Sequence, residues 1–198
     1  SIYWERVLQS VWQDHQGLGA VATQAHASEI PRLLYMQVLD IFFPTHFLRW
    51  AYFFTMLIIG PLGIYYLLEH IFKGKNNYKY AAFIGGLFYL LNLGTLQTFF
   101  APLEMFATLY GFIGWLFLTA LLFLKNPSPK TFLLYTAVTF FSTPMSHTPT
   151  LWFVNFMMLS VFSLMFFLLE KGINKQSRIK RVVALIVTTL ILNSYWLL

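Results

Sequence analysis

Long apolar runs separated by short polar turns constrain this chain more than any other feature. From Phe47 to Leu198 the sequence alternates between such runs and turns rich in Lys, Asn, Pro or Gly. Hydrophobic residues make up 58% of the chain and charged residues only 10%, whereas a soluble domain carries about 25% charged residues. The sequence therefore predicts an all-α protein, a polytopic transmembrane helical bundle.

The apolar runs divide into roughly six spans, since each crossing needs about 20 residues. The run from 131 to 142 is short and breaks at 143–149, so we expect this hairpin to turn within the membrane depth, sheltered by protein. The expected spans are 47–72, 80–99, 105–124, 131–142, 151–169 and a segment that begins at Val182.

Glycines inside these runs predict a bend and close helix packing. The segment Gly60-Pro61-Leu62-Gly63 interrupts the first run, and we expect it to kink the helix there. Gly111 with Gly114, and the neighbours Gly85 and Gly86, place small residues inside spans, where they let adjacent helices approach closely.

Residues 1–45 form a polar head in front of the bundle, which occupies 46–198. Apolar residues at helical spacing from Ile2 to Gln13 predict an amphipathic helix that is too short to cross a bilayer and lies along its surface. Residues 20–27 are expected to be loop or frayed helix. A second helix starts near Ser28, a candidate cap, and ends near Phe43, because Pro44 follows.

Both ends of the chain look cut. The sequence has no initiating Met and no signal peptide, and it ends within an apolar run. We therefore expect an internal piece of a longer protein.

The positive charge predicts how the bundle is oriented. Ten of the 13 Lys and Arg residues fall in three alternate connections, and positively charged loops stay in the cytoplasm. The head, the turn at Glu104 and the turn at His147 are therefore expected on the extracytoplasmic side of a bacterial or archaeal cytoplasmic membrane. Topology accounts for the net charge of +6, so nucleic acid is not an expected partner. The ten residues are Lys73, Lys75 and Lys79; Lys125 and Lys130; and Lys171, Lys175, Arg178, Lys180 and Arg181.

The head and the neighbouring turns carry the candidate site residues. Asp14 could act as a general base, with His15 beside it; alternatively the pair simply leaves a surface helix into water. Arg32 and Arg49 could hold a phosphate bidentately; alternatively they snorkel or pair with nearby carboxylates. We assign Asp14, His15 and Glu104 as candidate catalytic residues, and Glu29, Arg32, Asp40, Arg49 and His147 as candidate substrate-binding residues.

Metal binding has little support in the sequence. The chain contains no cysteine, so thiolate sites are excluded, and no His or carboxylate group shows metal-ligand spacing. No metal ligand is assigned, and the cofactor stays unknown, with a divalent metal left open.

Four short motifs in a fixed order carry a family resemblance: Val11–Asp14, Gly19–Ala25, Phe47–Trp50 and Leu103–Glu104. Scattered over about half the chain, they resemble the amino-terminal membrane region of the large bacterial α-(1→3)-arabinofuranosyltransferases. More broadly they resemble GT-C glycosyltransferases, including YfhO-like membrane proteins. The resemblance implies a GT-C-like fold.

The resemblance also implies an activity. Such enzymes transfer a sugar from a polyprenyl-phosphate-linked donor to a glycan or lipid acceptor outside the cytoplasm. The family's catalytic acid follows a first spanning helix and is expected upstream of Ser1, whereas Asp14 matches a later acidic position and Glu104 a position beside the donor cavity. The alternatives are a polytopic transporter and a non-catalytic subunit that binds lipid-linked sugar.

Overall fold

The structure is a computed structural model that describes residues 12–13, 20–21 and 24–197. The described part is all-α apart from one short strand pair. It also contains two 3₁₀ helices, Gln24–Glu29 and Thr143–His147. The eight α-helices are α1 (Ile30–Asp40), α2 (Thr45–Phe72), α3 (Tyr78–Leu91), α4 (Leu93–Phe100), α5 (Glu104–Lys125), α6 (Pro129–Phe141), α7 (Pro149–Leu169) and α8 (Lys175–Leu197).

Three of the described helices, α2, α5 and α7, are long and apolar enough to span a membrane. The pair α3 and α4 makes a fourth if it counts as one span, although it is bent by 43°. The described part therefore has three or four candidate spans, fewer than the roughly six that the sequence predicts. Helix α6 has only 13 residues, and α8 opens with four Lys and Arg residues before its apolar part. Neither is a candidate span among the described residues.

The head differs from its prediction. Trp12–Gln13 and Ala20–Val21 pair as two-residue antiparallel strands, with Trp12 opposite Val21. The predicted first helix is thus wrong at its carboxyl end, and residues 2–11 lie outside the described part. The second predicted helix is confirmed as α1, although it ends at Asp40, before Phe43, and Glu29 rather than Ser28 occupies its cap position.

Helix α5 is the centre of the bundle. Two thirds of its spanning window (67%) is buried, against 28% for α2 and for α7. Its close contact with α2 runs through glycines: a Cβ added at Gly114 would meet the Gly63 backbone carbon at 2.6 Å. Gly111 lies equally close to Met56 of α2. The predicted close packing at these glycines is confirmed, and α2 runs as one helix through Pro61.

Asn92 divides the predicted second span into two helices. Its backbone is extended, its amide nitrogen donates to the Phe88 and Tyr89 carbonyls, and its Oδ1 accepts from the Thr95 backbone N–H at 3.0 Å. One side chain therefore satisfies backbone groups at the end of α3 and at the start of α4. The apolar pattern of the run does not reveal this break.

The bundle has two ends of different character. At one end, Arg181 donates to the carbonyls of Leu124 and Lys125 at 2.7 and 2.8 Å, and Arg178 donates to the Phe167 carbonyl. Cations suit these helix carboxyl ends because the helix dipole is negative there. At the other end lie the start of α2, the start of α5 and both 3₁₀ helices.

Candidate functional site: a charged cluster at one end of the bundle

Five ionisable side chains from five segments meet at the end of the bundle away from the lysine-rich turns. We call them the charged cluster: Glu29, Arg32, Arg49, Glu104 and His147. They come from the first 3₁₀ helix, α1, α2, α5 and the second 3₁₀ helix, respectively. Their sequence separation reaches 118 residues, so only the tertiary fold can bring them together.

Glu104 connects the two arginines. Its Oε1 lies 2.7 Å from Arg49 Nε and 3.5 Å from Arg32 Nη1. Arg49 also donates through Nη2 to the Pro102 carbonyl at 3.0 Å, and its guanidinium carbon lies 5.6 Å from the centre of the Phe53 ring. These contacts hold the guanidinium in place, while 56% of the Arg49 side chain remains exposed.

Glu29 is the buried member of the cluster, with only 6% of its surface exposed. It forms an ion pair with Arg32, and its Oε1 lies 3.9 Å from His147 Nδ1. Burial raises the pKa of the Glu29 carboxyl, because water no longer solvates the charge, and the positive charge of Arg32 opposes that rise. Burial therefore favours the protonated form of Glu29, while the ion pair with Arg32 favours the ionised form.

Two buried hydroxyl groups, on α2 and α5, form hydrogen bonds next to the cluster. Tyr52 and Thr108 share a hydrogen bond of 2.5 Å. Because Thr108 Oγ1 already donates to the Glu104 carbonyl at 2.7 Å, the Tyr52 hydroxyl must be the donor. These two hydrogen bonds connect α2 to the first turn of α5 and so position Glu104 relative to Arg49.

A second set of contacts joins the two 3₁₀ helices. Thr143 Oγ1 donates to the Ser28 carbonyl at 3.3 Å, and the Tyr195 hydroxyl donates to Thr143 Oγ1 at 3.2 Å. The second 3₁₀ helix is buried from Thr143 to Ser146. Its irregular backbone is therefore covered by protein, as the sequence predicts for this hairpin.

If α2 and α5 cross a bilayer, their lengths place the cluster near a membrane surface. Helix α2 has 28 residues, a length of about 42 Å, whereas the hydrocarbon core of a bilayer is about 30 Å thick. Arg49 lies in the second turn of α2 and Glu104 is the first residue of α5. Trp50 and the turn Ile41–Phe43 expose large apolar side chains close by, as residues at a lipid interface do.

The remaining predicted site residues lie elsewhere. Asp14 and His15 fall outside the described residues. Asp40 is exposed at the end of α1, where the Thr45 hydroxyl approaches its Oδ1 at 3.5 Å. Within the described ranges, no three His, Asp or Glu side chains are grouped so that they could hold a metal ion.

All five members of the charged cluster are among the residues predicted for the site, whereas the supporting pair Tyr52 and Thr108 is not. The pairing of Glu29 with Arg32 has a sequence signal, since residues three apart on a helix face each other. The pairing of Arg49 with Glu104 has none, because 55 positions separate them. The same holds for Tyr52 and Thr108, which are 56 positions apart.

The fold and the cluster define a class: a helical bundle with three or four helices able to span a membrane and a charged cluster at one end. No family model, no curated protein and no solved structure matches the chain. Functional inference therefore starts from the geometry of the cluster.

Proposed function

We propose that this chain is the membrane part of a GT-C-like glycosyltransferase, whose charged cluster binds the phosphate of a polyprenyl-phosphate-linked sugar donor. One observation carries the proposal: Arg49 is held by Glu104 and Pro102, stays exposed, and has exposed apolar side chains nearby. A lipid-linked donor needs this combination, because its tail lies in the bilayer and its phosphate at the surface.

Arginine suits the phosphate better than lysine would. Its planar guanidinium presents a fork of N–H donors that matches two phosphate oxygens. With both carboxyls of the cluster ionised, the two guanidinium charges are balanced. A proton on Glu29 removes the nearest negative charge from Arg32 and gives these four groups a net positive charge, which favours an anion beside the exposed Arg49.

The proposed chemistry is displacement at the anomeric carbon. An acceptor hydroxyl oxygen attacks that carbon, the bond from the carbon to the phosphate oxygen breaks, and polyprenyl phosphate leaves. The hydroxyl proton passes to a carboxylate, for which Asp14 is the proposed general base, with His15 beside it. Arg49 stabilises the negative charge that develops on the leaving phosphate, and Glu104 positions Arg49.

The transporter alternative finds less support. In α2, α5 and α7 the His, Asp, Glu, Lys and Arg side chains lie within the terminal turns, at His46, Arg49, Glu69, His70, Glu104 and Lys125. A transported charged solute calls for ionisable groups near the middle of the spans, whereas the buried polar residues there, Thr119, Asn155 and Ser163, are neutral. Apolar helices with charge at their ends suit a substrate that stays at the interface.

The first test replaces Arg49 and measures donor binding. Purified Arg49→Gln protein is titrated with undecaprenyl phosphate in phosphatidylcholine vesicles, with undecaprenol as the uncharged reference. Because a hydrogen bond to a charged group contributes about 1.5–3 kcal/mol, affinity for the phosphate should fall about 10- to 100-fold. Lys73→Gln, at the opposite end of the same helix, is the matched control and should bind normally.

A second measurement separates transfer from binding. Polyprenyl-phosphoryl arabinofuranose and an arabinan oligosaccharide are supplied to the full-length protein, and extended glycan is detected by mass spectrometry. Product that disappears in Arg49→Gln supports the transferase. Arg49-dependent binding without product supports the non-catalytic binding subunit instead, and equal binding by Arg49→Gln and the original protein refutes the phosphate site.

A further inference from the structure

The lysine-rich end of the bundle carries a second feature, a groove between α7 and α8. It has a volume of about 300 Å³ and lies on the outside of the bundle, since Leu164, Ile179 and Val183 along it are about half exposed. Helix α7 is a candidate span, so this groove faces lipid when α7 crosses the membrane. Apolar side chains line most of it, among them Leu164, Phe167, Ile179, Val182 and Val183.

Two serines interrupt the apolar lining, and Ser160 already donates to the Phe156 carbonyl at 2.8 Å. Ser163 is 1% exposed, lines the groove, and its Oγ has no hydrogen-bond partner within the described residues. A buried hydroxyl without a partner is unfavourable, because it has lost its hydrogen bonds to water. A ligand with an oxygen acceptor at this depth would remove that cost, which a hydrocarbon chain alone could not do.

Two cations, Arg178 and Lys175, lie within one helical turn of the groove residue Ile179. Five Lys and Arg residues lie between 171 and 181. Arg178 belongs to the same turn as the groove residue Ile179, and its guanidinium carbon lies 5.2 Å from the centre of the Phe167 ring. Lys175, one turn earlier, is exposed. A basic pocket between helices at a membrane surface is the usual recognition site for anionic lipid headgroups.

The neighbouring cavity has the opposite character. It lies between α5 and α7, has a volume of about 270 Å³, and Glu170 is part of its wall. A carboxylate there would repel an anionic headgroup. The two apolar cavities are similar in size but differ in charge: cations lie beside the groove between α7 and α8, and a carboxylate lies in the wall of the other cavity.

We infer that the groove between α7 and α8 binds an anionic phospholipid. One acyl chain lies along Leu164 and Val183, an ester oxygen accepts from Ser163, and the headgroup phosphate lies near Arg178 and Lys175. This site is separate from the charged cluster, which lies at the other end of the bundle, and does not depend on the proposed transferase activity.

The test counts bound lipids by native mass spectrometry of the purified full-length protein. The probes are dioleoyl phosphatidylglycerol and dioleoyl phosphatidylcholine at equal concentration. Val183→Trp fills the groove and should remove the preferred phosphatidylglycerol adduct. Val187→Trp is the matched control, because Val187 is a half-exposed residue of the same helix that does not line the groove.

A charge variant keeps the test valid if the tryptophan disturbs folding. Lys175→Gln should weaken phosphatidylglycerol binding about five-fold, since one cation near a membrane surface contributes about 1 kcal/mol. Lys130→Gln, an exposed cation in another turn, should leave binding unchanged.

Three results would overturn the inference. Equal retention of phosphatidylcholine and phosphatidylglycerol would show that the site does not recognise an anionic headgroup. Unchanged phosphatidylglycerol binding in both Val183→Trp and Lys175→Gln would place the lipid elsewhere. Displacement of phosphatidylglycerol from the groove by equimolar undecaprenyl phosphate would assign the groove to the polyprenyl lipid.

Discussion

Replacing Gly114 by alanine should loosen the central helix contact of the bundle. Gly114 of α5 faces α2, and a Cβ there would lie 2.6 Å from both the Gly63 carbon and the Ile64 nitrogen. Those atoms belong to the backbone of α2, so no side-chain rotation can relieve the clash. The two helices must separate.

The size of the effect follows from two opposing contributions. Ordinary contact begins at 3.4 Å, so the helices must move apart by about 0.8 Å. Overpacking of this kind costs about 1–3 kcal/mol, and a rigid backbone neighbour puts Gly114→Ala at the upper end. Alanine also favours the helix over glycine by up to about 1 kcal/mol. The net loss of unfolding free energy should be about 1–2 kcal/mol.

Gly85→Ala is the matched control. This glycine is also inside a helix, but its added Cβ would meet only the terminal methyl Cδ1 of Leu68, while Leu68 Cγ is 3.7 Å away. The leucine can rotate, so the gain in helix propensity should leave stability equal or slightly higher.

Thermal unfolding in detergent, followed by circular dichroism, compares the two variants. For a chain of this size a loss of 1–2 kcal/mol lowers Tm by about 2–8 °C. A Gly114→Ala protein as stable as Gly85→Ala would refute the reasoning, because α2 and α5 could then not be in backbone contact at this position.

Two further predictions concern acidity and topology. Because burial raises the pKa of Glu29 above its usual 4.5, the folded protein binds this proton more tightly than the unfolded chain does. The contribution of Glu29 to the free energy of unfolding is therefore complete below about pH 4.5 and is lost as the pH rises through the pKa of the folded protein. Unfolding measured over a range of pH should show a flatter decline for Glu29→Gln, whereas the control Asp40→Asn should behave like the original protein. The chain has no cysteine, so the variants Ala101→Cys and Asn76→Cys each have a single site for a maleimide label. A membrane-impermeant maleimide added to intact cells should modify Ala101→Cys only, because the lysine-rich turns stay in the cytoplasm. Labelling of Asn76→Cys only would refute the proposed orientation.

The helical character of the chain was predictable because it rests on local pattern. Apolar runs of about 20 residues are expected to form helices that can span a membrane, and α2, α5 and α7 are long and apolar enough to do so. Close packing at Gly111 and Gly114 was also predictable, since small residues at this spacing share one helix face.

The errors arise where local pattern is ambiguous. A helical spacing that includes Trp12 competes with strand pairing across a turn, and the structure has Trp12 in a strand. The run from 80 to 99 is uniformly apolar, yet Asn92 caps a new helix within it. Both outcomes depend on hydrogen bonds to partners that hydrophobic periodicity does not describe.

The amino-acid sequence by itself determined most of the apolar helices, and it placed most of the acidic and histidine residues away from the lysine-rich turns. Only the tertiary structure decided that Arg49 contacts Glu104 at 2.7 Å and that Glu29 is buried beside Arg32. The physical reason is that such contacts depend on the rotation and depth of one helix relative to another. Those quantities come from packing across the whole bundle, here through the glycines of α2 and α5.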